Sequence, residues 1–179
     1  QKIITDKIYD LIFIGNLSYV PNIEAAKFIS KKIFPLLQEK VPNIKILISG
    51  SNPSKKVLRL SNENIKVTGW VDDIRETYCS GKVFFAPMSL GSGLQNKLLE
   101  AMSLGIPCIT SNLCNESLGA THMKNIIIGN SVEQYISQIL NILNKPELIS
   151  EIGKNGREFV NKKFSWESSN KILMEILKR

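Results

Sequence analysis

One histidine, two tryptophans and three cysteines are all that 179 residues offer of the side chains that most often mark metal, redox and base-stacking sites. The cysteines, Cys79, Cys108 and Cys114, form no CxxC pair and no zinc-ligand spacing. That excludes a zinc ribbon or a dithiol redox motif and suits a reducing, cytoplasmic compartment. His122 has no Ser, Asp or Cys beside it in a pattern of nucleophilic catalysis, so it receives no catalytic role. No apolar run approaches the roughly 20 residues that cross a bilayer; the longest resemble Leu11 to Ile14 and Val83 to Pro87 in size. The opening QKIITDKIYD has neither an initiator Met nor an apolar segment with a cleavage site, and it reads as the start of a piece excised from something longer. Arginine is scarce too, supplying 4 of 23 basic residues, and the lysines are scattered, in pairs at most, as at Lys31/Lys32, Lys55/Lys56 and Lys162/Lys163. Against 16 acidic residues the net charge is +7. Scattered lysine without arginine clusters does not fit base reading, so no nucleic acid is expected. A sugar nucleotide, or peripheral association with the anionic inner face of a membrane, is at least as natural a use of the charge.

What the sequence does contain is a regular alternation. With 43% hydrophobic residues it can bury one ordinary core, and short β-rich runs take turns with longer helical patterns, the signature of a parallel sheet covered by helices. Strands are predicted at Asp10 to Gly15, Ile44 to Gly50, Ile65 to Gly69, Lys82 to Pro87, Ile106 to Thr110 and Asn125 to Gly129. Ile23, Ala26, Ile29, Ile33 and Leu36/Leu37 recur at helical spacing, and Pro35 is expected to kink or break that helix. A weak helix is predicted from Ser54 to Leu60, and others after capping boxes at Asp73 to Glu76 and Ser131 to Gln134. The segment from Ser111 to Lys124 reads as irregular; Pro146 starts a further helix, and Ser165-Trp166 opens a last one running to the C-terminus. The fold class is therefore α/β: a Rossmann-like parallel sheet of about six strands flanked by helices, with a helical C-terminal tail.

In such a sheet, ligands bind beyond the carboxyl ends of the strands. MSLGSGLQNKLLE (Met88 to Glu100) places two glycines and a serine directly before a helix, where free amides and the positive end of the helix dipole can cradle an anion. Lys97 and Glu100, three apart, share one face of that helix. They could bind a phosphate and a ribose diol, or they could merely pair with each other on an exposed surface. Asp72 and Asp73 are more economically read as a helix cap than as a metal pair. Trp70 and Trp166 are expected to be packing or rim residues, and Cys108 to be buried and inert.

The stretch APMSLGSGLQNKLLEAMSLGIPCIT resembles the signature of the family 4 (group 1) glycosyltransferases of GT-B fold. Also similar are the first strand ending in Gly15, Pro21-Asn22 before a long helix, VTGWVDD (Val67 to Asp73) and the FSWE tail, so the likeness runs from about Leu11 to Arg179. The resemblance implies that residues 1–179 form a single nucleotide-sugar-binding domain, the C-terminal half of a two-domain enzyme whose N-terminal acceptor half, with the catalytic histidine, is missing. It implies retaining transfer from a UDP-, GDP- or other nucleoside-diphosphate sugar to a glycan or lipid-linked acceptor, as in bacterial surface-polysaccharide synthesis, with no cofactor and no metal. By position, Glu100 would bind the ribose hydroxyls, Gly91, Ser92, Gly93 and Leu94 the diphosphate and sugar, and Val71 the nucleobase through its main chain. Two departures stand out. Ser92 occupies the place of the family's first motif glutamate, eight residues before Glu100, and Asn16 and Asn22 lie where many members carry an arginine and a lysine. Lys97 is expected to supply that charge. The alternatives are a non-catalytic nucleotide-binding module and half of a sugar-nucleotide 2-epimerase.

Overall fold

A computed structural model describes residues 7–91, 93–165, 170 and 174. Ser92 and the helix predicted beyond Ser165-Trp166 thus lie outside the described residues, apart from isolated positions of the latter. The six strands are β1 (Tyr9–Ile14), β2 (Ile46–Ser49), β3 (Ile65–Thr68), β4 (Gly81–Ala86), β5 (Cys108–Thr110) and β6 (Ile127–Ile128). They form one sheet in the order β3-β2-β1-β4-β5-β6, and every pairing is parallel. Such strands must be covered on both faces, which is why Leu11 to Phe13 and Val83 to Ala86 read as unbroken apolar runs and are fully buried. The strand order reverses between β1 and β4, so the crevice outside their carboxyl ends is the topological switch point.

Helices α1 (Val20–Phe28) and α2 (Phe34–Lys40) follow β1. Of the kink or break expected at Pro35, the break does not occur: a π-helical turn at Ile29–Ile33 joins the two. Proline lacks an amide hydrogen and its ring crowds the carbonyl four residues back, and a widened turn directly ahead of it relieves both problems without interrupting the buried stripe of Ile29, Ile33 and Leu37. Helix α3 (Lys55–Leu58) is a single turn capped by Ser54. Asp73 caps α4 (Ile74–Cys79), accepting from the amide of Arg75, two residues on rather than three, at 2.9 Å. Helix α5 (Asn96–Ser103) follows β4.

The segment from Ser111 to Lys124, expected to be irregular, contains a helix, α6 (Asn112–Leu118), capped by the Ser111 hydroxyl and ended by the left-handed Gly119. Ser131 caps α7 (Val132–Leu143), and Gln134 reaches back to the amide of Asn130, one residue beyond the expected box. Pro146 opens α8 (Pro146–Phe164) as predicted.

Helix α8 packs on the end of α5 through glycine. A Cβ at Gly153 would lie 2.2 Å from the Gly105 carbonyl oxygen. Gly153→Ala should therefore destabilise the domain by about 1–3 kcal/mol, overpacking outweighing the roughly 1 kcal/mol of helix propensity that alanine gains. Urea unfolding of the variant measures this, and an unchanged or raised midpoint would contradict the close α5–α8 contact.

Candidate functional site

The residues singled out from the sequence meet at the switch point because the chain leaves β1 and β4 side by side and each strand is followed by a helix. Neither α1 nor α5 has a side-chain cap hydrogen bond or an acidic residue in its first turn. In α1 little is left for a ligand, because Pro21 has no amide hydrogen and the Asn22 and Ile23 amides donate to the Tyr19 carbonyl. At the positive end of α5 the Leu98 and Leu99 amides turn to the Gln95 carbonyl, and those of Asn96 and Lys97 make no bond among the described residues. The loop between β4 and α5 turns through Gly91 and Gly93, at φ of 111° and 75°. It passes within ordinary contact of α1, a Cβ at Gly91 falling 4.0 Å from the Pro21 side chain.

Between the two helix starts lies a chain of polar contacts. Asn22, 4% exposed, donates from Nδ2 to the Asn16 carbonyl oxygen at 2.9 Å, and its Oδ1 accepts from Lys97 Nζ. The Lys97 ammonium also sits 3.7 Å from Met88 Sδ and 5.2 Å from the centre of the Phe13 ring. Burial lowers its pKa to about 8, and the Cys114 thiol acts weakly in the opposite sense. The surface pair with Glu100 is not formed. The ion pairs among the described residues are Lys27–Glu24, Arg75–Asp73 and Lys82–Asp10, so this half-buried cation has no carboxylate partner there. Asn16 turns its own side chain to the backbone and hydroxyl of Ser18.

Glu100, exposed on α5, accepts from the Tyr78 hydroxyl at 2.8 Å. Tyr78 is 1% exposed, and burial together with the adjacent carboxylate raises its pKa. Tyr78 was missed in the sequence. It comes from α4, which returns from β3 to β4, and no local pattern announces that its hydroxyl will meet α5.

Beyond β1, β2 and β3 a cleft of about 270 Å³ is lined by Ile14, Gly15, Gly50, Ser51, Trp70, Val71, Asp72 and Ile74. Its floor depends on close backbone approach: a Cβ at Gly50 would fall 1.6 Å from the Gly15 carbonyl oxygen. Trp70 is a rim residue, 79% exposed, and Leu94 is also exposed. The structure thus gathers Gly15, Asn16, Asn22, Gly91 and Lys97 at the β1/β4 crevice, with Val71 in the adjoining cleft and Glu100 on the second turn of α5. His122 lies elsewhere, its Nδ1 accepting from the Ile128 amide at 2.9 Å, and Cys108 is fully buried, with its thiol pushed up by burial.

Residues 9–145 match the family model described as glycosyl transferases group 1. A capsular polysaccharide biosynthesis glycosyltransferase, CapM of Staphylococcus aureus, is 27% identical over 90% of this chain and 46% of its own length. Among solved structures, a mutant of S. aureus TarM in complex with fondaparinux, alpha-GlcNAc-glycerol and UDP superposes with a TM-score of 0.78 at 18% identity, over 98% of this chain and 36% of that one. The C-terminal domain of a group 1 glycosyl transferase (LpcC) of Francisella tularensis gives 0.70 at 17% identity, over 88% and 87%. These likenesses carry the fold, one Rossmann-like half of a GT-B architecture. The chain spans about half the length of the curated relatives it matches. With the family model covering most of its residues, the chain belongs to the group 1 glycosyltransferases.

Proposed function

We propose that this domain holds the nucleoside-diphosphate-sugar donor of a retaining glycosyltransferase, the acceptor glycan or lipid-linked saccharide being presented by a second, N-terminal half. The observation that carries this reading is Lys97: a half-buried ammonium with no carboxylate partner among the described residues, in the first turn of α5, which has no side-chain cap, and held against Asn22 of α1. A lysine at the start of a helix opposes the helix dipole, and burial adds to the cost. An anion in the crevice offsets both. Lys97 and the amides from Gly91 to Leu94, Ser92 included, take the diphosphate and stabilise its charge as the glycosidic bond breaks. Gly15 and Asn16 border the phosphates, Glu100 takes the ribose hydroxyls, and the Val71 main chain and Trp70 face the base in the cleft. This assignment needs no cofactor. That CapM serves capsular polysaccharide synthesis and that TarM was crystallised with UDP support the substrate class.

Calorimetric titration with UDP, GDP, ADP and the corresponding nucleosides tests the reading: diphosphates should bind, and much more tightly than nucleosides. A domain that binds none of them is not a donor domain, and a nucleoside as good as its diphosphate would remove the phosphates from the crevice. Acceptor-dependent transfer by this chain alone is not expected, because the acceptor half of the cleft is assigned elsewhere.

Trp70 offers an optical check. Saturating UDP should change its emission, and Trp70→Phe should abolish the change while leaving the fold intact. Emission from Trp70 that ignores a saturating ligand would place the base outside this cleft.

A further inference from the structure

We infer that Asn22 is a positioning residue: its carboxamide holds the Lys97 ammonium at the crevice while leaving its charge uncompensated. The inference rests on the reading of Lys97 as the phosphate cation and adds the part that aims it.

Asn22 is a buried amide, and a buried amide needs partners at both ends. Its orientation is settled by chemistry, because an ammonium can only donate and a carbonyl can only accept. Oδ1 must therefore face Lys97, and Nδ2 the Asn16 carbonyl at 2.9 Å. The side chain has little room to turn, since a Cβ on Gly15 would fall 2.8 Å from Nδ2. It is wedged against the loop that leaves β1 and fixed to it. The other neighbours of the ammonium are the Met88 thioether and the face of Phe13, neither of which sets its position as an oxygen acceptor does. Asn22 is thus the oxygen anchor that joins the start of α5 to the start of α1.

The choice of amide over acid matters. An aspartate of nearly the same shape would lose the bond to the Asn16 carbonyl, which only an N–H can make, and would pair with the charge that the phosphates need. Facing Lys97 are Phe13 from β1, Met88 from the loop after β4, Asn22 from α1 and Cys114 from α6, and only the last is titratable. A carboxylate at position 22 would be the dominant charge beside Lys97 and would keep it protonated to higher pH.

The experiment measures UDP and uridine affinity of the domain from pH 6 to 10 for wild type, Asn22→Asp, Asn22→Ala and Lys97→Met. In Asn22→Asp, UDP affinity at pH 7 should fall about tenfold or more with uridine unchanged, and the loss of UDP affinity expected of wild type above about pH 8 should disappear. Asn22→Ala should lose about three- to tenfold for UDP and keep the wild-type pH dependence. UDP binding by the Asp and Ala variants equal to wild type at every pH, with Lys97→Met impaired, would overturn the positioning role and leave the phosphate reading standing. UDP binding unaffected in Lys97→Met would overturn the phosphate reading, and this proposal with it. Should the Asp variant fail to fold, Asn22→Ser decides: reduced UDP affinity with intact uridine affinity supports the role, and unchanged UDP affinity overturns it.

Discussion

Replacing Lys97 with methionine should separate binding from stability by moving them in different ways with pH. For binding, the variant should lose about 1–3 kcal/mol of UDP affinity with little change for uridine, because only the diphosphate carries the charge that the ammonium meets. Added salt should narrow the difference. For stability, Lys97 in the folded domain loses its proton near pH 8, against 10.5 for an ordinary lysine. Below pH 8 both folded and unfolded chains carry the proton, and the folded state bears the full cost of desolvating it. Between the two values the unfolded chain holds more protons, so the stability of the wild type rises with pH. The methionine variant has no such slope. It leaves the Asn22 oxygen without its donor, a loss of about 1–2 kcal/mol that does not depend on pH. Wild type should therefore gain roughly 2 kcal/mol on the variant between pH 7 and pH 10, less than the full shift implies because Lys97 is partly exposed. Urea unfolding at the two pH values measures the gain. Parallel stabilities would mean that Lys97 is solvated and not held as described.

The second large effect is expected at Glu100. Tyr78 occupies one carboxylate oxygen, which fixes the side chain on α5 and leaves the other oxygen to accept from a cis-diol. Glu100→Gln should cost about 1–3 kcal/mol in ribonucleotide affinity and almost nothing for a 2′,3′-dideoxy analogue. Equal losses for both ligands would remove the ribose from this residue. Tyr78→Phe keeps the ring contact with Phe84, centred 5.5 Å away, and removes only the hydroxyl. It should cost about 1 kcal/mol of stability and a smaller share of the same discrimination.

The sheet and its switch point were readable because parallel strands buried on both faces must be apolar runs, and because Gly15, Gly50 and Pro87 mark where those runs end. The Gly91-to-Lys97 stretch was readable for a similar reason, since glycines before a helix leave amides free. What the sequence hid depends on which elements come together. Lys97 and Glu100 share a helix face, and spacing alone allows them to pair. They separate because Asn22, 75 residues from Lys97 in the chain, and Tyr78, 22 residues from Glu100, each offer a buried partner. The π-turn before Pro35 was hidden too, because a proline signal says that a helix must adjust and not how. Helix α6 was announced by Ser111 at its cap and Gly119 at its end, but its interior lacks a strong apolar period and the short signal went unread.

The central claim is that a nucleoside diphosphate lies across the β1/β4 crevice. It is tested most directly by following the backbone amide resonances of the 15N-labelled domain as UDP is added. Gly15, Asn16, Val71, Gly91, Gly93 and Leu94 should shift together with one saturation curve, while amides of α7 and α8 stay in place; shifts confined to those helices, or none at all, would contradict it.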